Sequence, residues 1–211
     1  NQPEDLTKAI ELCNLALEND IKTYSESHPN VATTRNNLAG ALKARSQPED
    51  LTKAIELYNL ALASNIKTYS ESHPDVATTR NNLASALEAR NQSGDSAKAI
   101  ELYNLALESD IKTYSESHSN VARIRNNLAS TLKTRNQPRD LSKAIELYNL
   151  ALESGIQTYS ESHPNVATTR NNLAGALKAR SQPKDLTKAI ELYNLALASN
   201  IKTYSESHPN V

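Results

Sequence analysis

SHPDVATTRNNLASAL, residues 72–87, recurs along the chain every 45 residues with few changes. Its copies are SHPNVATTRNNLAGAL at 27–42 and 162–177, and SHSNVARIRNNLASTL at 117–132. Self-similarity at a fixed period of this size is typical of a solenoid, in which each unit buries its apolar face only against its neighbours. The stretch therefore predicts a repeat array rather than a domain built around one central core.

The period divides the 211 residues into four full units and one partial unit. These units are 1–45, 46–90, 91–135, 136–180 and 181–211. Residues 46–76 differ from 181–211 at only two positions, whereas the first two units differ at eight, which indicates duplication in blocks of three units. We therefore expect 1–211 to be a single repeat array and a fragment of a longer one.

Each unit carries two segments with helical periodicity. In the second unit, apolar residues from Leu51 to Tyr69 recur at intervals of three and four, which is the spacing of one helix face. Pro48 suits the first turn of this helix, and Pro74 suits the first turn of the next, with Ser72 or His73 as its cap. We expect all-α structure, with helices of about 17 and 22 residues in each unit and no strands.

Residues inside the unit carry a family signature. NLAxxL at 82–87, AxxxYxxAL at 99–107 and then His118 resemble the tetratricopeptide repeat. The run His-Pro-Asn/Asp-Val-Ala-x-Thr-x-Asn-Asn-Leu-Ala resembles the kinesin light chain class of these repeats. The resemblance covers the whole chain and implies an α-solenoid of stacked antiparallel helix pairs, forming a right-handed superhelix. It also implies that the helix that opens at His-Pro, here the first helix of each pair, lines a concave groove.

Two features depart from the family pattern. The Gly-x-Tyr turn of the family is replaced by a longer Asn/Ser-Gln-Pro turn, which we expect to start the second helix a turn early and to change superhelical pitch. Arginines stand at an apolar stripe position of each first helix: Arg35, Arg80, Arg125 and Arg170. We expect each guanidinium to snorkel to the surface or to pair with a carboxylate such as Glu56 or Glu71, the alternative being a row of anion-binding groups.

Composition and charge exclude several classes of function. The net charge of −1, from 23 basic and 24 acidic residues, gives little reason for affinity to nucleic acid or anionic lipid. No run approaches the ~18 apolar residues that a membrane span needs, and no signal peptide is visible. The single cysteine, Cys13, cannot form an intramolecular disulfide, so a cytoplasmic setting is the default expectation.

The residues that could carry chemistry favour structural roles. The histidines come one per unit without a second ligand at metal spacing, so we expect junction residues and no cofactor: they are His28, His73, His118, His163 and His208. The repeated Ser-Glu-Ser-His lacks a strained elbow, and no glycine-rich phosphate loop is present. Cys13 replaces a tyrosine at a packing position. We therefore expect a protein that is not an enzyme.

A polar row opposite the apolar stripe of each first helix is the candidate binding surface. The resemblance places this row inside the groove, where Asn side chains could bond a peptide backbone of any sequence, the alternative being a solvated helix face. The row comprises Thr33, Asn36 and Lys43; Thr78, Asn81, Ser85 and Glu88; Arg123, Asn126, Ser130 and Lys133; and Thr168, Asn171 and Lys178, with Gly40 and Gly175.

These features predict a protein-interaction scaffold that binds an extended peptide or partner protein. Helices pack ~8–10 Å apart and an extended chain advances ~3.3 Å per residue, so four units would engage roughly ten residues. The lysines of the row and Arg123 favour acidic or polar segments. The alternatives are head-to-tail self-association of the array and, with less support, nucleic-acid binding, against which stand the neutral charge and the absence of groove aromatics.

Overall fold

A computed structural model describes residues 2–137 and 139–207, and His208 lies outside them. These residues form nine α-helices, and none of them lies in a strand. The helices are α1 (Gln2–Thr23), α2 (Pro29–Arg45), α3 (Pro48–Thr68), α4 (Pro74–Arg90), α5 (Asp95–Thr113), α6 (Ser119–Arg135), α7 (Asp140–Thr158), α8 (Pro164–Arg180) and α9 (Pro183–Ser207). The even-numbered helices are the first helices of the units, and the odd-numbered ones are the second helices.

The first helices begin at a histidine cap. The backbone N–H of Asp75 donates to Nδ1 of His73 at 3.2 Å, and the same bond recurs at 3.1–3.2 Å in the three other junctions. The His73 ring stacks on Tyr69, four residues earlier, with ring centroids 4.0 Å apart. Of the two caps expected from the sequence, the histidine is the one used, and the tyrosine ring holds it in place.

The turn from first to second helix is fixed by an Arg–Asp clamp. Ser46 ends α2 in the left-handed region at φ 59°, and α3 begins two residues later at Pro48. Arg45 donates from Nε and Nη2 to the two carboxylate oxygens of Asp50 at 2.6 and 2.8 Å. Hydrogen bonding to Arg45 lowers the pKa of Asp50. The equivalent clamps are Arg90–Asp95, Arg135–Asp140 and Arg180–Asp185, so the unusual turn is a repeated structural feature.

The core of each helix pair is built from leucine, alanine and one tyrosine. Leu83 and Leu87 of α4 are buried with Ala99 and Tyr103 of α5, where the alanines allow close helix approach. The equivalent Tyr58 is almost fully buried, and burial raises its pKa to about 12. This is the helical periodicity expected from the sequence.

The stripe arginines are buried rather than snorkelled. Only 5% of the Arg80 side chain is exposed, and its guanidinium donates to the carbonyl of Glu71 at 2.8 Å and to the Glu71 carboxylate at 2.6 Å. The same residue pairs recur as Arg35–Glu26, Arg125–Glu116 and Arg170–Glu161. Pairing with Glu71 is therefore confirmed. The expectations of surface snorkelling and of a Glu56 partner are wrong, because the guanidinium is buried and donates to the backbone carbonyl of Glu71 in the preceding loop.

The helices form two compact units, residues 1–113 and 114–211. In each, helices that follow one another in sequence pack together, as the alternating pairs predict. Within the first unit α2 also packs against α4, and within the second unit α6 packs against α8. Neighbouring first helices are therefore in direct contact in each unit.

Candidate functional site

The exposed part of the candidate site is a set of positions near the start of the first helices. Thr33, Thr78, Arg123 and Thr168 occupy equivalent places and are all exposed to solvent. They lie on the first-helix side, which we define as the outward surface of α2 and α4 and that of α6 and α8. Asn171 and Lys178, which were also named from sequence, are exposed as well.

Two of the four asparagines of the row join neighbouring first helices. Asn36 donates from Nδ2 to Oγ1 of Thr79 at 3.1 Å, and Asn126 donates to Oγ1 of Thr169 at 2.8 Å. Asn81 is only 2% exposed. This revises the expectation of a ladder of open amides, because amide hydrogens that hold helix to helix are not available to a peptide backbone. Asn171 alone of the four is exposed.

The other row residues also make contacts within the array. Lys43 donates from Nζ to Oγ of Ser85 at 2.8 Å, which links α2 to α4, and Tyr103 donates to the Glu88 carboxylate at 2.6 Å. These three row residues therefore contribute to packing. Lys178 is exposed and Lys133 is half-buried.

Four predicted residues come together in one cavity of about 390 Å³ in the second unit. Arg123, Asn126 and Ser130 of α6 and Thr168 of α8 line it. Second helix α7 contributes Ala151 and Gly155, and Tyr159, which follows this helix, also lines the cavity. Its volume lies within the ~300–1,000 Å³ that is usual for ligand sites. We call it the Gly155 cavity.

One residue of the sequence, Gly155, indicates this cavity. Gly155 stands where the other units have Asp20, Asn65, Asp110 and Asn200. In the first unit, Asn65 is 4% exposed and donates from Nδ2 to Oγ1 of Thr79 at 3.2 Å. Because glycine has no side chain, the space that Asn65 fills beside Thr79 is left open beside Thr169. A glycine inside a helix at a position that is otherwise polar was the signal.

Most of the side chains that line the cavity are polar, and one of them carries a positive charge. Five asparagines line it, together with serine and threonine, and Arg123 is the one charged residue among them. In the part of the chain that the structure describes, Arg123 has no carboxylate within ion-pair distance. Nδ2 of Asn126 is directed to Thr169, while its Oδ1 is buried without a hydrogen-bond partner in the described structure. Arg123 therefore favours a ligand with a negatively charged oxygen, whereas Oδ1 of Asn126 is an acceptor and would pair with a donor group.

The geometry defines the class of helical-repeat solenoids, in which two-helix units stack and expose the side of their first helices. The Sel1 repeat family profile matches residues 36–65, 81–110, 132–156 and 171–200, more than half of the sequence. The chain belongs to the Sel1 repeat family. Sel1 and TPR-like repeat proteins are typically non-enzymatic scaffolds for protein interaction.

Solved structures of similar fold support the kinesin light chain resemblance. The nearly identical TPR-like repeats of a Podosopora anserina protein assigned as a kinesin light chain share 25% identity, with a TM-score of 0.74 over 96% of this chain and 90% of that one. A point variant of that protein gives 0.76 with the same identity and coverage. BtubC (BKLC) from P. vanneervenii gives 0.78 at 25% identity, over 96% of this chain and 76% of that one.

Two further comparisons are negative. No curated protein matches the sequence significantly. Across residues 2–137 and 139–207, no helix is both long enough and apolar enough to cross a bilayer.

Proposed function

We propose that this chain is a non-enzymatic cytoplasmic scaffold that holds an extended peptide segment of a partner protein along the first-helix side. The observation that carries the proposal is the Gly155 cavity, which gathers Arg123, Asn126, Ser130 and Thr168 on that side of the second unit. A lining of polar side chains with one unpaired cation is suited to a polar segment that carries acidic residues.

The exposed threonines extend this surface within each unit. Thr33 and Thr78 lie on α2 and α4, and Thr168 lies on α8. Each presents a hydroxyl group that can accept from a peptide N–H. The lysines of the row carry positive charge along the same side, although Lys43 is already bonded to Ser85. Revised in this way, the proposed contacts come from threonine, arginine and lysine rather than from an asparagine ladder.

Titration with decapeptides of opposite charge tests the proposal. Polar decapeptides with three glutamates or three lysines would be compared by calorimetry at two salt concentrations. We expect the acidic peptide to bind more tightly, with an affinity that falls as salt rises, because the exposed charges are screened. Binding of neither peptide, or tighter binding of the basic one, would contradict the proposal.

Head-to-tail self-association of the array is the second candidate. Light scattering at increasing concentration distinguishes the two candidates, because self-association raises the mean mass without added peptide.

A further inference from the structure

The Gly155 cavity is the place where residues that break the repeat meet. Arg123 replaces the threonine of the three other first helices, and Ser119 replaces their initial proline. Gly155 replaces an aspartate or asparagine of the other second helices, and it lies in a different repeat from Arg123. All three residues line the same cavity. Near-identical units present nearly the same residues to a partner. At this cavity the residues differ, so a partner can distinguish it from the equivalent places in the other units.

Space and charge change together at this point. The loss of the side chain at Gly155 opens the floor of the cavity, and the gain of Arg123 places a cation at its wall. No acidic residue lines the cavity, and Arg123 is without a carboxylate partner in the described residues. The cavity volume of about 390 Å³ is many times the ~30 Å³ that one water molecule occupies, so a carboxylate could enter with part of its hydration.

We propose that the Gly155 cavity receives one carboxylate side chain of the bound peptide, that Arg123 is its ion-pair partner, and that this contact fixes the register of the peptide. The inference rests on the proposed function, because it concerns how a peptide on the first-helix side is positioned. A guanidinium can bond both carboxylate oxygens, which gives directional as well as electrostatic selection. The threonine rows can then bond the remaining backbone without regard to sequence.

Two substitutions separate the two parts of the proposal, and both introduce residues that the chain already uses elsewhere. Arg123→Thr removes the charge and restores the residue of the other first helices. Gly155→Asn fills the space with the residue found at Asn65. A Cβ at Gly155 would lie 3.3 Å from Cγ2 of Val166, and Asn65 is accommodated beside the equivalent Val76. Arg123 is exposed and unpaired, so its replacement leaves the core intact.

The experiment measures the binding of a Gly/Ser decapeptide with one central glutamate, and of its glutamine counterpart. We expect the glutamate peptide to bind the unaltered chain about tenfold more tightly, since a hydrogen bond to a charged group contributes roughly 1.5–3 kcal/mol. Either substitution should abolish this difference between the two peptides. Free glutarate is the control for a small anion: binding as tight as that of the glutamate peptide would overturn the peptide assignment.

A transplant gives the complementary test. Thr33→Arg with Asn65→Gly reproduces the Gly155 cavity in the first unit, and Thr33→Arg alone is its matched control. The double variant should bind the glutamate peptide at two sites, and the control at one.

If the glutamate and glutamine peptides bind the unaltered chain equally, or if Arg123→Thr leaves their difference intact, the proposed ion pair with Arg123 is wrong while peptide binding on the first-helix side stands. If neither peptide nor the acidic decapeptide binds, the proposed function itself fails.

Discussion

Helices α2–α4 and helices α6–α8 have the same architecture and nearly the same sequence. The space between the two first helices is filled by side chains in α2–α4 and contains a cavity in α6–α8. In α2–α4, Asn65 and Asn36 both donate to Thr79, and Lys43 donates to Ser85. In α6–α8, glycine replaces Asn65 and Ser85, and the Gly155 cavity lies between the helices. The comparison shows that the helix caps and Arg–Asp clamps hold the architecture, while a few side chains between first helices decide whether a pocket exists.

The largest expected effect comes from removing the Asn65 side chain, which fills the space beside Thr79. Asn65→Gly removes a buried hydrogen bond and places glycine inside α3, so we expect the free energy of unfolding to fall by about 2–4 kcal/mol. Chemical denaturation measures this change. Asn59→Gly is the matched control, because Asn59 is an exposed residue of the same helix. An equal loss in both variants would contradict a specific role for Asn65.

Arg–Asp clamps occur in both regions. The clamp between Arg90 and Asp95 spans the turn before α5, and this turn contains Gly94. Asp95→Asn should lower the free energy of unfolding by about 1–2 kcal/mol, because Arg90 then faces a neutral amide with one acceptor oxygen in place of a carboxylate with two. Thermal denaturation at pH 7 measures the loss. A change within experimental error would show that the turn holds without the clamp.

The same clamp gives a pH dependence with a defined sign. Hydrogen bonding to Arg90 lowers the pKa of Asp95 in the folded chain. The stability from this pair is therefore present above the ordinary aspartate pKa of about 3.9 and is lost as pH falls through the lower, folded value. The stability difference between the unaltered chain and Asp95→Asn should shrink as pH is lowered below about 4. A difference that grows on acidification would refute this linkage.

The histidine caps are also common to the two regions and should respond alike. His73→Ala and His163→Ala each remove the acceptor for a backbone N–H near the start of a first helix, so each should cost about 1 kcal/mol. Denaturation of the two single variants measures both losses. Markedly unequal values would show that the shared frame is not equivalent in α4 and α8.

The smallest expected effect comes from adding a methyl group at Gly155, beside the cavity. Gly155→Ala improves helix propensity by up to about 1 kcal/mol, but its Cβ would lie 3.3 Å from Val166 and would use part of that gain. We expect a net stabilisation of less than about 1 kcal/mol, measured by thermal denaturation. A clear loss of stability would show that Val166 cannot move and that the glycine is required for packing.

The repeat period, the helix pairs and the prolines at helix starts were predictable from sequence because they depend on local periodicity and local capping. The Arg80–Glu71 pair was predictable in part, since its partner is near in sequence, but the burial of the guanidinium depends on packing against the preceding loop. The asparagines were misjudged because a helix-face argument cannot show that the next first helix lies within hydrogen-bond distance of Asn36. Gly155 was missed because a glycine at an otherwise polar position does not by itself show that the neighbouring helices leave a cavity beside it.

A crosslinking measurement tests the first-helix side most directly. A photoreactive benzoylphenylalanine would replace either Thr168, exposed on α8, or Asn149, exposed on second helix α7. After irradiation with the acidic decapeptide, the account predicts that the peptide is attached to the variant at position 168 and not to the one at position 149. Attachment at position 149 alone, or equal attachment at both positions, would contradict the claim that the first helices form the binding surface.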